Sequence, residues 1–490
     1  MAYIPLSLPP GIYRNGTQLQ SQGRWYDCNL VRFYSGTIRP VGGWRKKSTT
    51  TMTGSPRAML SWRDNGNTSR CVVATHSHIY YMTRGGVLSD ITPAGYTVGR
   101  ADAIAEGGFG SGLYGMGIYG APIADSSEIQ DATVNSLDTW GEDLVFCGPD
   151  DTKIYQWNLN TAVLPTQVTN SPTATSLLVT QEGILMAFGA ESVPRRVKWS
   201  DQRNNTLWAA DATNQAGDFD LQTNGRIMFG LRINGGILVL TDIDVHLGTY
   251  TGDNRIYAFD KKSDGCGAIS RAAGVALDSQ AVWMGGGSFW LYNGFAQPLP
   301  CDVSDYVYGD LNYLQQSKIT CELNSEFGEV TWHYPSSSSV EVDRYVRWNF
   351  RENHWTIGQL ARLCAADRGV APYPLKCGSD GYVYEHEVAN DYDGTVPYLE
   401  GGPFMLGQGD NVFTSQQLVP DDKTVGDVTA TFKLKFYPDD AETTVGPYSL
   451  TSHVDTRFTT RLMRVRYDGA VNTDWRIGIP RLDIEQGGQR

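Results

Sequence analysis

Paired carboxylates are the residues of this chain best suited by type and spacing to do chemistry. Asp218/Asp220, Asp242/Asp244 and Glu385/Glu387 each stand two positions apart, and on an extended strand that spacing puts both side chains on one face. Two such groups about 5–10 Å apart across a cleft, with one held protonated, would suit glycoside hydrolysis. His76 and His78 share the same spacing and are the one pair with metal-like geometry, but no third ligand accompanies them, so two polar residues on a solvated strand face is the plainer reading. Asn390-Asp391-Tyr392-Asp393-Gly394 opens like a calcium loop, yet Thr395 and Val396 follow where further acids are needed, which favours an ordinary turn. Gly110, Gly112 and Gly115 fit G-x-G-x-x-G, but no strand-to-helix junction surrounds them, so a dinucleotide role does not follow. The chain has no G-K-[ST], G-x-S-x-G or H-E-x-x-H. These patterns predict no catalytic residue, no cofactor and no metal.

The elements that would have to position such residues are strands. Seven times an apolar strand meets a short Gly/Asp/Ser turn and returns through an aromatic-rich strand: Cys71–Met82, Leu144–Trp157, Ile184–Trp199, Ile237–Tyr250, Ala281–Tyr292, Glu329–Phe350 and Leu375–Glu387. Their starts lie 73, 40, 53, 44, 48 and 46 residues apart. After one outlier this is the 40–50-residue period of β-propeller blades, and a ring of stacked blades buries the apolar faces that one hairpin cannot. Helical periodicity is almost absent. The sequence therefore predicts an all-β protein, a β-propeller of six to seven blades, the count depending on whether an N-terminal strand completes the last one. The segment Trp199-Ser200-Asp201 to Trp208 is similar to the Asp-box of sialidase propellers, S-x-D-x-G-x-x-W, but its Asp directly follows Ser and the Gly is missing, so the match fails.

Net charge is −13, unevenly placed: residues 1–50 hold seven basic groups against Asp27 alone, leaving −19 on the remainder. An acidic body does not grip nucleic acid, which needs clustered Lys and Arg; it suits a surface that DNA slides past, or merely a soluble one. The eight cysteines form no C-x-x-C pair and several sit inside strand patterns, so we read them as reduced, buried thiols of a protein assembled in a cytoplasm. Met1–Pro10 does not read as a signal peptide, and no stretch approaches the length of a membrane span.

Three regions follow. Residues 1–56 read as an extended basic N-terminal arm with one plausible strand at Leu30–Tyr34; Arg14, Arg24, Arg45, Lys46 and Lys47 would pack on this chain's own acidic body or on a neighbouring subunit. Residues 57–390 carry the repeats, with a glycine-rich insertion at 105–122. There Phe109, Leu113, Tyr114, Met116, Ile118 and Tyr119 alternate with glycine, a composition that orders at high entropic cost and calls for another surface or remains a loose loop. Residues 391–490 form a β-rich, sandwich-like tail: Phe432, Leu434 and Phe436 alternate with Lys433 and Lys435, Met463, Val465 and Tyr467 with Arg464 and Arg466, and Trp475, Ile477 and Ile479 continue the pattern.

The chain resembles the tail nozzle (tail tubular, or packaged-DNA-stabilising) proteins of short-tailed bacteriophages. The resemblance rests on Leu8-Pro9-Pro10-Gly11 through Arg39-Pro40-Val41-Gly42-Gly43-Trp44; Val197-Lys198-Trp199-Ser200-Asp201 with Trp208 and Gly217-Asp218-Phe219; Gly236 to Asp242 with Thr249 to Gly252; and Val282 to Gly285 with Phe289 to Gly294. It implies a structural virion protein, assembled in the host cytoplasm. Six copies would form a tube below the portal and its adaptor, bound at the far end by a needle, fibre or tailspike. Genomic DNA would be retained and then conducted through the lumen without specific binding, and the protein would not insert in a membrane. Two other expectations compete: a host-receptor-binding tail propeller, and a polysaccharide-degrading tail enzyme using one of the acid pairs, for which Asp242 and Glu385 are the residues to substitute.

Overall fold

In the computed structural model, which describes residues 2–105, 129–253, 255–406, 409, 411–470 and 472–488, seven four-stranded antiparallel sheets follow one another along the chain. Blades 1 to 6 span residues 56–90, 136–167, 176–220, 227–264, 274–299 and 320–359; blade 7 uses residues 362–386 and takes its fourth strand from the N-terminal region, Trp44–Lys46. Each hairpin singled out in the sequence forms the two central strands of one blade, in registers such as Cys71 opposite Met82, Leu144 opposite Trp157 and Ala281 opposite Tyr292. The innermost strands neighbour one another in chain order, and that of blade 7 (Arg362–Ala366) returns to that of blade 1 (Pro56–Arg63). The protein is a seven-bladed β-propeller.

Closure is made by the N-terminus. Trp44, Arg45 and Lys46 pair with His386, Glu385 and Tyr384, so the outer edge of blade 7 is covered and the two ends of the ring are tied in one sheet. Gly42 and Gly43 allow this approach: a Cβ on Gly42 would stand 2.4 Å from the Glu387 Cα, and one on Gly43 2.4 Å from the Asp391 carbonyl oxygen.

The expectation of an extended arm over residues 1–56 differs from the structure. Ala2–Pro5 and Trp25–Asn29 are strands of the C-terminal unit, Val31–Tyr34 and Thr37–Pro40 form a hairpin, and Trp44–Lys46 belongs to blade 7. The reason is physical: each strand is three to five residues long and its partner is mostly hundreds of residues away, so local periodicity carries no trace of it. The C-terminal unit stacks the sheet Ala2–Pro5, Arg481–Gln486, Phe413–Val419, Val454–Thr460 on a second one built on Trp25–Asn29, Tyr398–Gly401, Leu462–Gly469, Val428–Lys435 and Thr443–Ser449. Phe432, Leu434, Met463, Val465 and Tyr467 fill its core as the alternation predicts. Phe436 lies past the strand end and is exposed; Trp475 and Ile477 are buried, whereas Ile479 is exposed.

Apolar and aromatic side chains fill the seams between blades, as where Val72 and Tyr81 meet Leu144 and Trp157. The seam between blades 6 and 7 is different. Glu322, Glu329, His333 and Arg347 of blade 6 and Lys376, Arg362 and His386 of blade 7 are buried there, joined by Arg32 from the hairpin. Arg32 grips Glu329 through Nε and Nη2 at 2.6 and 2.7 Å and Glu387 at 2.6 and 3.1 Å; Lys376 pairs with Glu322.

Candidate functional site

The acid pairs do not form a catalytic dyad. Asp220 accepts from Arg196 at 2.7 Å and Asp218 lies opposite Lys198. Asp242 is in a turn, where it caps the Arg226 amide, rather than on one strand face with Asp244. Asp244 is buried against Thr241, His246 and Lys261; burial would raise its pKa, but those partners hold it below the usual range. Glu385 is likewise held low, burial being outweighed by Arg45 and Lys47 at 2.8 and 3.1 Å. Glu387 follows the strand end and is clamped by Arg32. A general acid needs a raised pKa, and the partners of Asp220, Asp244 and Glu385 act in the opposite direction.

His76 and His78 lie in the turn after Ser69–Thr75, not on a strand; His76 Nδ1 accepts from Ser55 N at 3.0 Å. Among the described residues no group of three His, Cys, Asp or Glu could hold a metal. Around 390–394 the chain holds the closing strand: Asp393 accepts from the Trp44 indole at 2.6 Å, and the Tyr392 hydroxyl donates to Val41 O. Asp201 accepts from Gln215 N, and Trp208 is buried with its indole on Asn205 O, so the Asp-box-like segment serves a turn.

The basic residues of the N-terminal region turn inward. Arg14 meets Asp27 at 3.0 Å and lies over the Tyr306 ring, Arg24 meets Asp302 at 2.8 Å, Arg45 and Lys47 share Glu385, and Lys46 lies over Tyr382. These contacts fasten the N-terminus to the propeller and leave no free cationic arm among them. Phe109, Leu113, Tyr114, Met116, Ile118 and Tyr119, with Gly110, Gly112 and Gly115, lie outside the described residues.

Two features were not singled out in the sequence. A cleft of about 490 Å³ runs between blade 6 and the C-terminal unit, lined by Arg14, Asp27, Tyr306, Asp310, Arg344 and Tyr398. Burial raises the Asp27 pKa, against the pull of Arg14. The second is a group of exposed apolar side chains beside the base of the insertion: Ile104, Ile129, Tyr313, Leu314 and Val340. Ile104–Ala105 pairs with Ile129–Gln130 there. Gln315, next to Leu314, bonds both the amide and carbonyl of Ala103 at 2.9 Å, and Lys318 donates to Val340 O at 2.8 Å, which draws the three segments together.

The same contacts close one end of the propeller's axial channel. The connection between blades 1 and 2 crosses to that between blades 5 and 6 through Ala103–Gln315 and through Ala132 N on Ser317 Oγ at 3.0 Å. Arg57 braces it, donating to Ala101 O and to both Glu341 oxygens.

No family model matches the sequence, and no curated protein matches it. Some solved structures align with much of the chain. A virginiamycin B lyase from Staphylococcus aureus is 6% identical with a TM-score of 0.43, the match covering 70% of this chain and 98% of that one. The N-terminal domain of Nup159 is 12% identical with a TM-score of 0.39, covering 73% and 98%. A gluconolactonase from Xanthomonas campestris is 7% identical with a TM-score of 0.32, covering 73% and 100%.

Proposed function

We propose that this chain is a non-enzymatic virion subunit, the nozzle of a short phage tail, six copies of which enclose a lumen that retains packaged DNA and conducts it at ejection. The observation that carries the reading is the exposed apolar group Ile104, Ile129, Tyr313, Leu314 and Val340, since clustered large apolar residues on a soluble surface mark contact with another protein. The resemblance of four sequence stretches to nozzle proteins supports the same role. Because the axial channel is capped, a conduit for DNA would have to lie between subunits, which makes assembly a requirement of the function. The portal adaptor and a needle, fibre or tailspike would bind the two ends of that tube. DNA would pass an acidic wall that does not hold it.

Mass photometry of the purified protein, with Leu314→Asp and Val340→Asp variants alongside, tests this. The expected result is a mass several times the 54.0 kDa chain for the wild type and a shift to monomer in the variants, with unchanged circular dichroism. A wild type that stays monomeric at every concentration, with adaptor present or absent, overturns it.

A further inference from the structure

The channel beneath the cap is a closed-ended cavity of about 490 Å³ lined by residues from the innermost strands of all seven blades. Leu60, Leu137, Leu178, Phe229, Val275 and Cys321 give its walls an apolar surface, and among the described residues the one charged pair on them, Arg232 with Asp138 at 2.6 Å, is self-compensated. Its capped end is not apolar. Arg271 stands there, immediately before the innermost strand of blade 5, donating through Nη1 to Thr175 Oγ1 at 3.3 Å and to Met228 O at 3.2 Å. Both acceptors are neutral. Among the described residues no carboxylate lies within ion-pair distance of Arg271: Asp131 is taken by Arg226 at 2.7 Å and Asp150 by Arg100 at 2.7 Å. Burial, with Arg226 adding to it, holds its pKa down to about 10. Two residues that also line the cavity, Ser176 and Thr320, are 3% and 5% exposed and carry hydroxyls buried without a hydrogen-bond partner, which a turn about χ1 would bring to a ligand there.

An unpaired guanidinium and two unsatisfied hydroxyls at the end of an apolar tube are what an anionic head with an apolar tail would complete. Arg271 is half-buried; a cation withdrawn from water without a counter-charge is costly, and a planar guanidinium matches a carboxylate in particular. The volume falls within the range of small-ligand sites.

We propose that the capped axial channel binds an aliphatic carboxylate, its carboxylate on Arg271, Ser176 and Thr320 and its chain against Leu178, Phe229 and Val275. The ligand enters carboxylate-first from the uncapped end and its chain trails behind, so occupancy does not require the cap to open. This site is independent of how the subunits assemble.

Titration calorimetry of the full chain with octanoate, with 1-octanol and with inorganic phosphate is the test. Octanoate should bind with one site per chain, octanol at least about tenfold more weakly, since the charge-assisted bonds are lost, and phosphate weakly or not at all. Arg271→Met should weaken octanoate by at least about tenfold while melting no lower than the wild type, because it removes the uncompensated charge. Should that variant misfold, Ser176→Ala/Thr320→Ala serves instead, with a smaller loss in the same direction. Equal affinity for octanoate and octanol, unaltered octanoate binding in the Arg271 variant, phosphate binding in preference to octanoate, or no binding of any probe each overturns the proposal.

Discussion

Arg32→Met should uncouple the N-terminal hairpin from the seam between blades 6 and 7. Arg32 is 2% exposed and is the joint counter-charge of Glu329 and Glu387. Its loss strands Glu329, itself 2% exposed, with only Arg347 at 3.6 Å as a residual partner. Removing one member of a buried ion pair costs about 3–5 kcal/mol, and the remaining Arg347 places this case near the lower end. The assay is urea unfolding at pH 7.5 followed by tryptophan fluorescence, with the slope checked for equality between variants. The pH dependence gives a second reading. Burial raises the Glu329 pKa, but Arg32 and Arg347 outweigh it and hold it at about 2, against an ordinary value of about 4.3. That depression contributes stability above the ordinary value, lost as pH falls toward 2. In the variant the carboxyl takes up a proton at higher pH, so the gap to wild type should narrow between pH 7.5 and pH 4. Adding Glu329→Leu should recover much of the loss, because an apolar pair in a seam is tolerated where a lone charge is not. A single-variant loss below about 1 kcal/mol, or a gap that widens on acidification, refutes the reasoning.

Below about pH 6.5 the propeller should lose stability even with Glu329 ionised. His333 and His386 are held neutral, burial lowering both pKa values, with Lys376 and Arg362 adding to the effect at His386. The unfolded chain then binds protons that the fold refuses, each histidine contributing up to about 1.4 kcal/mol per pH unit; urea midpoints at pH 7.5 and 5.5 measure it, and His386→Leu should flatten the slope. Gly42→Ala should cost about 2 kcal/mol or more, since its Cβ meets backbone at 2.4 Å; thermal melting decides, and an unchanged midpoint would mean that blade 7 closes otherwise. Cys28, Cys71 and Cys147, whose pKa values burial pushes up to about 12, should react with a thiol reagent only as the protein unfolds, and rapid labelling of the native state would count against the packing.

The propeller was legible because its signal is local. Each central hairpin, such as Ala281–Tyr292, carries its own alternation, turn glycines and aromatics within a dozen residues. What lay hidden is held together over long separations. Trp44–Lys46 is a three-residue strand whose partner is some 340 residues on, and the seam brings Arg32, Glu329 and Glu387 to one point. Gly42 and Gly43 were visible as glycines, but only the backbone of residues 387 and 391 shows why no side chain fits. The Asp242/Asp244 spacing suggested a shared face, but Asp242 falls in the turn, because a two-residue period holds only while the chain stays extended. The unpaired state of Arg271 depends on which carboxylates its neighbours have already taken, a property of the folded ring alone.

Electron-microscopy class averages of the assembled particle test the central functional claim most directly. A ring of propellers surrounding a lumen wide enough for duplex DNA, with the insertion-bearing face at the contact between subunits, is the predicted image. Isolated propeller-and-sandwich particles at every concentration, or a ring whose centre is too narrow for a duplex, would contradict it.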